Sequence, residues 1–526
     1  MPEQMLARFN ASSQSHVGPV EVWDDGPDGD LSASAEGALP LCVDLDGTLV
    51  KSNTVADSAL ALVRHNPRAL LSFPGWLIQG MEVFRRRLEK SVSLDPASLP
   101  YNQPLLEFLF EQHAAGRLLY LSTAGNGVVA QRVADHFRVF AGVLVTDGGR
   151  GLRGNDKWKV FRDRLGEKFS YIGNAAADLP ALTCCEEPMV ANPAGRLRAG
   201  LRAARVVPVR SFLDSVSPMK GWLRAVRLHQ WSKNALIFLP LLLAHPWVIG
   251  GSAAASIGLF AGAATAFLSF GLCASATYIV NDLLDLEADR KHPRKRRRPF
   301  AAGNLSVSSG MMAAGLLLAG SLALAVALPR IVAIAGGQLE NPGRFLKWLA
   351  IYAISTTAYS LKLKRLPLVD VIVLSGLYTI RILTGSAATG VPISPWMGGF
   401  SIFFFLSLAY AKRFSELQNL RLRGATPVDG RGYLTSDIEQ LRSLGTSSAF
   451  ASVVVLTMYI SSLDTRLYHH PGRLWLLLPV FLLWISQLWL LASRGVLNED
   501  PVVYAITDKR SLLIGLLVLG AVLSAL

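Results

Sequence analysis

The apolar runs beyond residue 231 constrain this chain more than any other feature. Ser252 to Val280, Gly310 to Leu328, Leu474 to Ala492 and Leu512 to Leu526 are almost uninterrupted by charge. Runs of that length must satisfy their backbone groups internally within lipid, so they are expected as membrane-spanning helices. Nine spans are expected, at about 232–250, 253–280, 310–328, 345–361, 366–388, 396–411, 446–463, 474–492 and 511–526. With 51% hydrophobic and only 17% charged residues, the 526-residue chain is also more apolar than a soluble protein of its size.

The net charge of +14 admits nucleic acid, anionic lipid or an anionic substrate, and its distribution decides among them. Arg290 to Arg298 follow the second span. Lys362, Lys364 and Arg365 follow the fourth, and Lys412, Arg413, Arg421, Arg423 and Arg431 the sixth. The alternate loops hold little beyond Arg330, Arg344, Arg466 and Arg473. By the positive-inside rule the first set is cytoplasmic together with everything N-terminal to it, which leaves the C-terminus outside. This is the pattern of an integral protein of the cytoplasmic (inner) membrane and gives no reason to expect a nucleic-acid partner. Residues 1–38 contain no basic segment followed by an apolar core, so no cleavable signal is expected. The four cysteines have neither disulfide nor zinc spacing and suit a reducing compartment.

At the end of the second span stands Asn281-Asp282-Leu283-Leu284-Asp285-Leu286-Glu287-Ala288-Asp289. On a helix Asp282, Asp285 and Asp289 fall at i, i+3 and i+7 and project from one face where the chain leaves the bilayer. Three carboxylates that close repel unless a cation sits among them, and oxygen ligands shared with a substrate's phosphates suit Mg²⁺. A solvated helix end with a topogenic loop accounts for Arg294 to Arg298 but not for one-sided aspartates.

Upstream, residues 1–38 are rich in Ser, Gly, Pro and Asp and are expected to be disordered. Leu39 to Val43 reads as a buried strand ending in Asp44-Leu45-Asp46-Gly47-Thr48. Two carboxylates at i and i+2 beyond a strand suit a nucleophile and an acid/base beside Mg²⁺. This stretch resembles the first motif of the haloacid dehalogenase (HAD) superfamily. Three later motifs follow in order: Ser122-Thr123 after a second strand, Lys157 before a helix, and Gly173-Asn174-Ala175-Ala176-Ala177-Asp178. The resemblance implies an α/β, Rossmannoid phosphatase with Asp44 as nucleophile and Asp46 as general acid/base. It also implies that Thr123 (or Ser122) and Lys157 hold phosphate, and that Asn174 and Asp178 complete a Mg²⁺ site. Asn174 stands where the family usually has Asp. Apolar and basic residues between Ser52 and Gly116 suggest a small helical cap.

The aspartate stretch and its flank, Asp282-x-x-Asp285-x-x-x-Asp289-x-x-His292-Pro293-x-Lys295-x-x-Arg298-Pro299, resemble the first signature of the UbiA prenyltransferase superfamily over roughly residues 220–526. That family's second acidic signature is missing. Tyr410-Ala411-Lys412-Arg413-Phe414-Ser415-Glu416-Leu417 stands in its place, and cations there suit an anionic second substrate. With Gln230-Trp231-x-Lys233-Asn234, this resembles the decaprenyl-phosphate phosphoribosyltransferase branch. The branch implies phosphoribosyl pyrophosphate as donor, a polyprenyl phosphate as acceptor and one Mg²⁺ in each active site. It also implies substrate contacts from Lys233, Asn281, Lys295, Arg298, Tyr359, Lys362, Lys412, Arg413 and Glu416. His292 is expected to be structural. Asp370 and Arg381, ionisable within a span, are functional or paired.

The expected organisation is therefore a tail (1–38), a HAD-like phosphatase domain with a small helical cap (39–210), a linker (211–222) and an all-α nine-helix UbiA-type bundle (223–526). The two halves would act in succession, with homo-oligomerisation left open. The rival expectation is an aromatic or quinone prenyltransferase carrying a non-catalytic HAD module.

Overall fold

Among the described residues seven short strands pair in parallel throughout, which requires crossovers that return the chain to the same end of the sheet. They are β1 (Glu21–Trp23), β2 (Leu41–Asp44), β3 (Leu119–Thr123), β4 (Gly142–Val145), β5 (Ser170–Gly173), β6 (Glu187–Ala191) and β7 (Arg210–Phe212), in the order β1-β4-β3-β2-β5-β6-β7. Leu41, Val43, Leu119 and Leu121 face one layer with the helices Gln103–Ala114 and Gly127–Phe137. Cys42, Tyr120 and Tyr171 face the other, with Phe161, Leu182, Leu197 and Leu201. Apolar side chains on both faces are what a sheet covered on both sides requires.

The computed structural model describes residues 21–23, 38–125, 127–145, 157–244, 253–422, 432–462, 468–497 and 501–526. The chain divides into two compact units, Met1–Val226 with Tyr278–Ala313, and Arg227–Thr277 with Ala314–Leu526. Three features of the first unit differ from expectation. Within the stretch expected to be disordered, Glu21–Trp23 pairs with Gly142–Leu144 at the sheet edge. Of the stretch Ser52–Gly116 where a cap is expected, the helices Thr54–His65, Phe73–Ile78 and Met81–Ser91, with a 3₁₀ turn at Pro67–Ser72, pack around a small cluster of their own. Gln103–Ala114 belongs instead to the sheet, since Leu105, Leu106 and Leu109 are buried in its core. The expected linker is largely structured: Arg210–Phe212 is the last strand, with buried Phe212 against Phe108, and Pro218–Val226 is a helix.

The aspartate segment packs in this first unit. Phe300 is buried there, edge-on to Trp222, and a Cβ on Gly310 would lie 2.6 Å from its ring, so only glycine lets the ring and that helix approach. Leu305 likewise packs over Gly221.

The second unit is helical. Five helices among the described residues are long and apolar enough to cross a membrane: Ser256–Leu284, Val307–Ile334, Val369–Thr389, Thr435–Ile460 and Pro471–Ser493. Other expected spans also carry helices, at Arg344–Leu361, Pro395–Leu422 and Lys509–Ala525. The first expected span opens as a 3₁₀ segment, Leu228–Phe238, followed by Leu239–Ala244, and its remainder lies outside the described residues. Small and hydroxylated residues join these helices. Ser269 and Ser321 each donate to the other's carbonyl, at 2.8 and 2.7 Å. Trp484 and Trp489 donate to Ser511 and Ser407 at 3.0 and 3.1 Å. Such bonds hold helices where burial from water supplies no driving force.

Candidate active sites

The first candidate site lies at the carboxyl edge of the sheet, where β2 sits between β3 and β5 and the chain direction of winding reverses. Open parallel sheets bind ligands at that switch point. Asp44 ends β2 in register with Ser122 of β3, and Gly173 and Asn174 leave β5 alongside. Thr48 donates to Asp44 Oδ2 at 3.1 Å, and the backbone amide of Thr54 donates to Asp46 Oδ1 at 2.6 Å. The second bond fixes Asp46 to the first residue of the cap. Strand alternation separates Ser122 from Thr123. Ser122 Oγ donates to the carbonyl of Val43 within the sheet at 3.4 Å. Thr123 lies with Asp46 around Gly125, where a Cβ would sit 3.3 Å from Thr123 Oγ1 and 2.7 Å from Asp46 Oδ2.

Asn174 lies against the Asp44–Thr48 loop. Gly47 has φ +83°, and a Cβ there would be 2.1 Å from Asn174 Nδ2, so the loop needs glycine for both its conformation and its neighbour. Asn174 Oδ1 is buried without a hydrogen-bond partner. A buried carbonyl oxygen in that state is costly, and a hard cation is one partner that would satisfy it. Asp178 is placed differently from expectation: its Oδ2 accepts from the amides of Asn174 and Ala175 at 3.0 and 2.9 Å, and its Oδ1 from the Tyr171 hydroxyl at 2.9 Å. It clamps the loop that presents Asn174. Burial, with Asp178 and Asp44 nearby, raises the Tyr171 pKa and keeps its hydroxyl a donor. Lys157 opens the helix Lys157–Leu165, and its side chain lies outside the described residues.

The second candidate site is built by the aspartate segment. The long helix ends at Leu284, Asp285 is the junction, and a short helix resumes over Leu286–Lys291. This break replaces the expected single helical face. Asp282 and Asp289 are brought together at Arg298. A 3₁₀ turn at Lys295–Arg297 folds Arg298 back, so that one nitrogen, Nη1, contacts Asp282 Oδ1 at 3.1 Å and Asp289 Oδ2 at 2.6 Å. The two carboxylates are 2% and 4% exposed, while Arg298 is 29% exposed. Burial raises the Asp289 pKa, and Arg298 opposes that rise. His292 Nδ1 accepts from the amides of Arg294 and Lys295 at 3.1 and 3.3 Å, a structural role as expected. Among the described residues no three His, Cys, Asp or Glu side chains gather as a metal-binding group. Two buried carboxylates converging on one positive atom nevertheless fit a cation that takes its other ligands from a substrate.

Arg290, expected within the phosphate-binding and topogenic run, points elsewhere. Its guanidinium contacts Asp57 at 2.9 Å and Ser52 at 3.1 Å, and Ser52 Oγ donates to Asp57 Oδ2 at 2.7 Å. Asp57 belongs to the cap helix whose first amide holds Asp46. Lys291 pairs with Asp95 at 3.2 Å.

In the helical unit Arg413 is 2% exposed and bonded to Asp370, to Glu416 at 2.6 Å and to the Tyr359 hydroxyl at 2.9 Å. Tyr433 donates to the other Asp370 oxygen. Arg413, Glu416 and Tyr359, expected at substrate, thus share one hydrogen-bonded network centred on buried Arg413, and Asp370 is paired. Arg381 bonds Asn234 at 3.0 Å, the Leu377 carbonyl and the Tyr352 hydroxyl at 3.2 Å, which makes it a bridge between helices. The Lys233 ammonium lies 5.8 Å from the Tyr378 ring centre. Trp231 donates to Ser275 at 3.0 Å and lies over Gly271. Lys412 is half-buried and Lys362 exposed.

An uncharacterized Sinorhizobium fredii protein, y4nM, is 36% identical over 492 residues, which cover 93% of this chain and 91% of that one. The nodulation protein NoeC of Azorhizobium caulinodans is 34% identical over 56% of this chain and 90% of its own length. Decaprenyl-phosphate phosphoribosyltransferase of Mycolicibacterium smegmatis is 34% identical over 47% of this chain and 72% of its own. The pattern of the UbiA prenyltransferase family matches residues 238–505, which include Asp282, Asp289, Arg298 and Arg413. This membrane-helical chain, with its N-terminal parallel-sheet domain, belongs to the UbiA prenyltransferase family.

Proposed function

We propose that the protein transfers 5-phosphoribose from phosphoribosyl pyrophosphate to a polyprenyl phosphate, and that its N-terminal domain, of HAD type, then removes the 5-phosphate. The observation that carries the first step is the convergence of buried Asp282 and Asp289 on one cation in a chain related to decaprenyl-phosphate phosphoribosyltransferases. Asp282, Asp289 and Asp285 would hold Mg²⁺ in the membrane half, and Asp44, Asp46 and Asn174 in the soluble half. When bound, the ion supplies charge neutralisation to the phosphates. Arg298 and Lys295 take donor phosphate oxygens, with Asn281 beside them. Lys233, Lys362 and Lys412 are the candidate cations for the lipid phosphate. An oxygen of the lipid phosphate attacks the anomeric carbon, the bond from that carbon to pyrophosphate breaks, and pyrophosphate leaves with the electron pair. No base is required, because the lipid phosphate is already ionised.

In the second step an Asp44 carboxylate oxygen attacks the 5-phosphate. The phosphorus–oxygen ester bond breaks, and Asp46 gives its proton to the departing ribose oxygen. Asp46 then takes a proton from water, which attacks the phospho-aspartate, releases inorganic phosphate and restores Asp44. Thr123 and Lys157 hold the phosphate oxygens, and the Asp178 clamp keeps Asn174 in place. The reading takes the catalytic halves to be cytoplasmic and the helical half to be a nine-span bundle.

The test supplies the full chain in membranes with labelled phosphoribosyl pyrophosphate, Mg²⁺ and a polyprenyl phosphate. Wild type is expected to give lipid-linked ribose, Asp44→Asn to stall at lipid-linked phosphoribose, and Asp282→Asn to leave the lipid unlabelled. Absence of label in the wild-type lipid overturns the donor assignment. Unchanged dephosphorylation in Asp44→Asn overturns the phosphatase assignment.

A further inference from the structure

The cap's outer surface has the composition of a lipid-facing element although it lies outside every apolar span. From Ala69 to Met81 the chain carries no charged residue. Leu70, Leu71, Leu77, Ile78 and Met81 are all exposed there, Leu71 at 83% and Ile78 at 86%. The opposite side of the same segment is well packed: Ala69, Phe84 and Leu88 are buried with Phe73 and Trp76 against them. Phe73 and Phe84 meet edge to face at 5.3 Å. The exposed leucines are thus held outward on a formed scaffold and do not reflect an unfolded loop. Water is a poor partner for such a cluster, and large apolar patches on soluble surfaces mark contact sites.

Charge identifies the partner. Between residues 64 and 90 the uncharged centre is flanked by Arg64 and Arg68 on one side and Arg86, Arg87 and Lys90 on the other, against Glu82, which pairs with Arg86, and Glu89, while Arg85 turns inward. Arg87 lies over the Trp76 ring at 5.5 Å. An apolar centre with a tryptophan and cationic flanks is the pattern of a segment lying in a bilayer interface, its leucines among acyl chains and its cations at anionic headgroups. A protein partner would not require that symmetry of charge. A bilayer is already present for this chain, which spans one.

We propose that the cap segment Ala69–Met81 lies in the headgroup region of an anionic bilayer. The consequence for chemistry follows from what lies beneath it. Arg85 donates to the carbonyl of Ala124 at 2.8 Å, immediately after Thr123. Val55, which packs against the cap cluster, lies 3.5 Å from where a Gly125 side chain would start. The lipid-facing segment and the phosphate-binding loop are thus two sides of one small body. Resting on the phosphatase reading above, this makes the preferred substrate a phosphomonoester carried on a lipid and presented at the membrane surface.

The test uses the full chain in nanodiscs of phosphatidylcholine and phosphatidylglycerol. Ile78→Cys and, as a control on a sheet-flanking helix, Glu111→Cys are each labelled with an environment-sensitive fluorophore in a Cys184→Ser background. A blue-shifted Ile78 label quenched by shallow spin-labelled lipid, beside an unquenched control, supports the proposal. An Ile78 label as red and unquenched as the control overturns it. In parallel, Leu71→Asp with Ile78→Asp is assayed on lipid-linked phosphoribose and on free ribose 5-phosphate. Loss of about tenfold on the lipid substrate, with the free sugar unaffected, is expected from losing two apolar side chains that anchor the segment in lipid. Equal losses on both assign the face to cap folding and overturn the proposal. Absence of hydrolysis of either substrate by wild type sinks the phosphatase reading alone, and the quenching then decides the membrane contact.

Discussion

Arg298 and Arg413 both lie between carboxylates, and the way each is held separates a site that can open from one that cannot. Arg413 is buried, and its three nitrogens bond separately to Asp370, Glu416 and Tyr359. Releasing it would leave Asp370 charged in a dry interior. Arg298 spends one nitrogen on both Asp282 and Asp289, and its side chain is 29% exposed where that of Arg413 is 2%. It can swing aside and leave two carboxylates ready for another cation. A positive residue in a family motif therefore gives no role by itself; the number of buried partners it would abandon does.

The largest effect expected from that contrast is on stability at Arg413. Arg413→Met strands the Asp370 carboxylate, and breaking a buried pair on one side costs about 3–5 kcal/mol. Thermal melting of the purified protein in detergent checks this. Adding Asp370→Leu is expected to recover most of the loss, since removing both partners is far cheaper than removing one. A single variant that melts like wild type would place Arg413 at the substrate after all.

Next in size is a loss of catalysis without a loss of fold. Asp282→Asn is expected to lower transferase kcat by about 10²–10³-fold, the scale of losing one electrostatic stabiliser in a site built for charge. Its melting temperature is expected to stay near wild type, because an amide at that position keeps an oxygen for Arg298 and removes a buried charge. An equally deep loss of melting temperature would make Asp282 and Asp370 equivalent and erase the distinction.

How far the sequence carried depends on whether the deciding contacts were local. Asp44 with Asp46, and Asp282 with Asp289, announce themselves by spacing, since a strand end or a helix turn sets their separation. The break at Asp285 was not visible because the apolar pattern runs straight through it. Composition puts Arg290 in the basic run, whereas its partner Ser52 lies 238 residues earlier. Asp178 matched a metal-ligand position, but the backbone amides that occupy it can be known only from the loop's conformation. Tyr433 carries no local signal at all and Asn234 only its place at the end of the Gln230–Asn234 stretch, and each gains its role as the partner of a buried ionisable residue in a distant helix. Those ionisable residues, Asp370 and Arg381, were the legible signal, and a search for their partners would have led to them.

A smaller effect is expected at Ser52, which joins Arg290 to Asp57 beneath the cap. Ser52→Ala removes one buried donor, worth about 1 kcal/mol in unfolding. Because Asp57 and the amide that holds Asp46 share a helix, phosphate release is expected to fall by at most about fivefold on the same scale, with transferase activity unchanged. A parallel fall in transferase activity would show that this contact serves the aspartate segment instead.

The smallest expected change in stability is at Arg298, and its informative readout is pH. Pairs that are partly exposed contribute about 0–1 kcal/mol, so Arg298→Gln is expected to melt within a few degrees of wild type. Burial already raises the Asp289 pKa, and the Arg298 charge is what holds that rise back. Removing the cation raises it further. A carboxyl with a higher pKa takes up its proton earlier as pH falls, and a protonated Asp289 is a poor ligand for a cation. The acid limb of transferase kcat/KM, measured at fixed Mg²⁺, is therefore expected to move to higher pH in Arg298→Gln. The linked effect on stability has the matching sign: the ionised carboxylate is destabilising in the variant at neutral pH, and acidification through the raised pKa relieves that cost. A limb that moves to lower pH would mean that another cation holds Asp289, and Arg298 would lose its place as the movable partner in the pair.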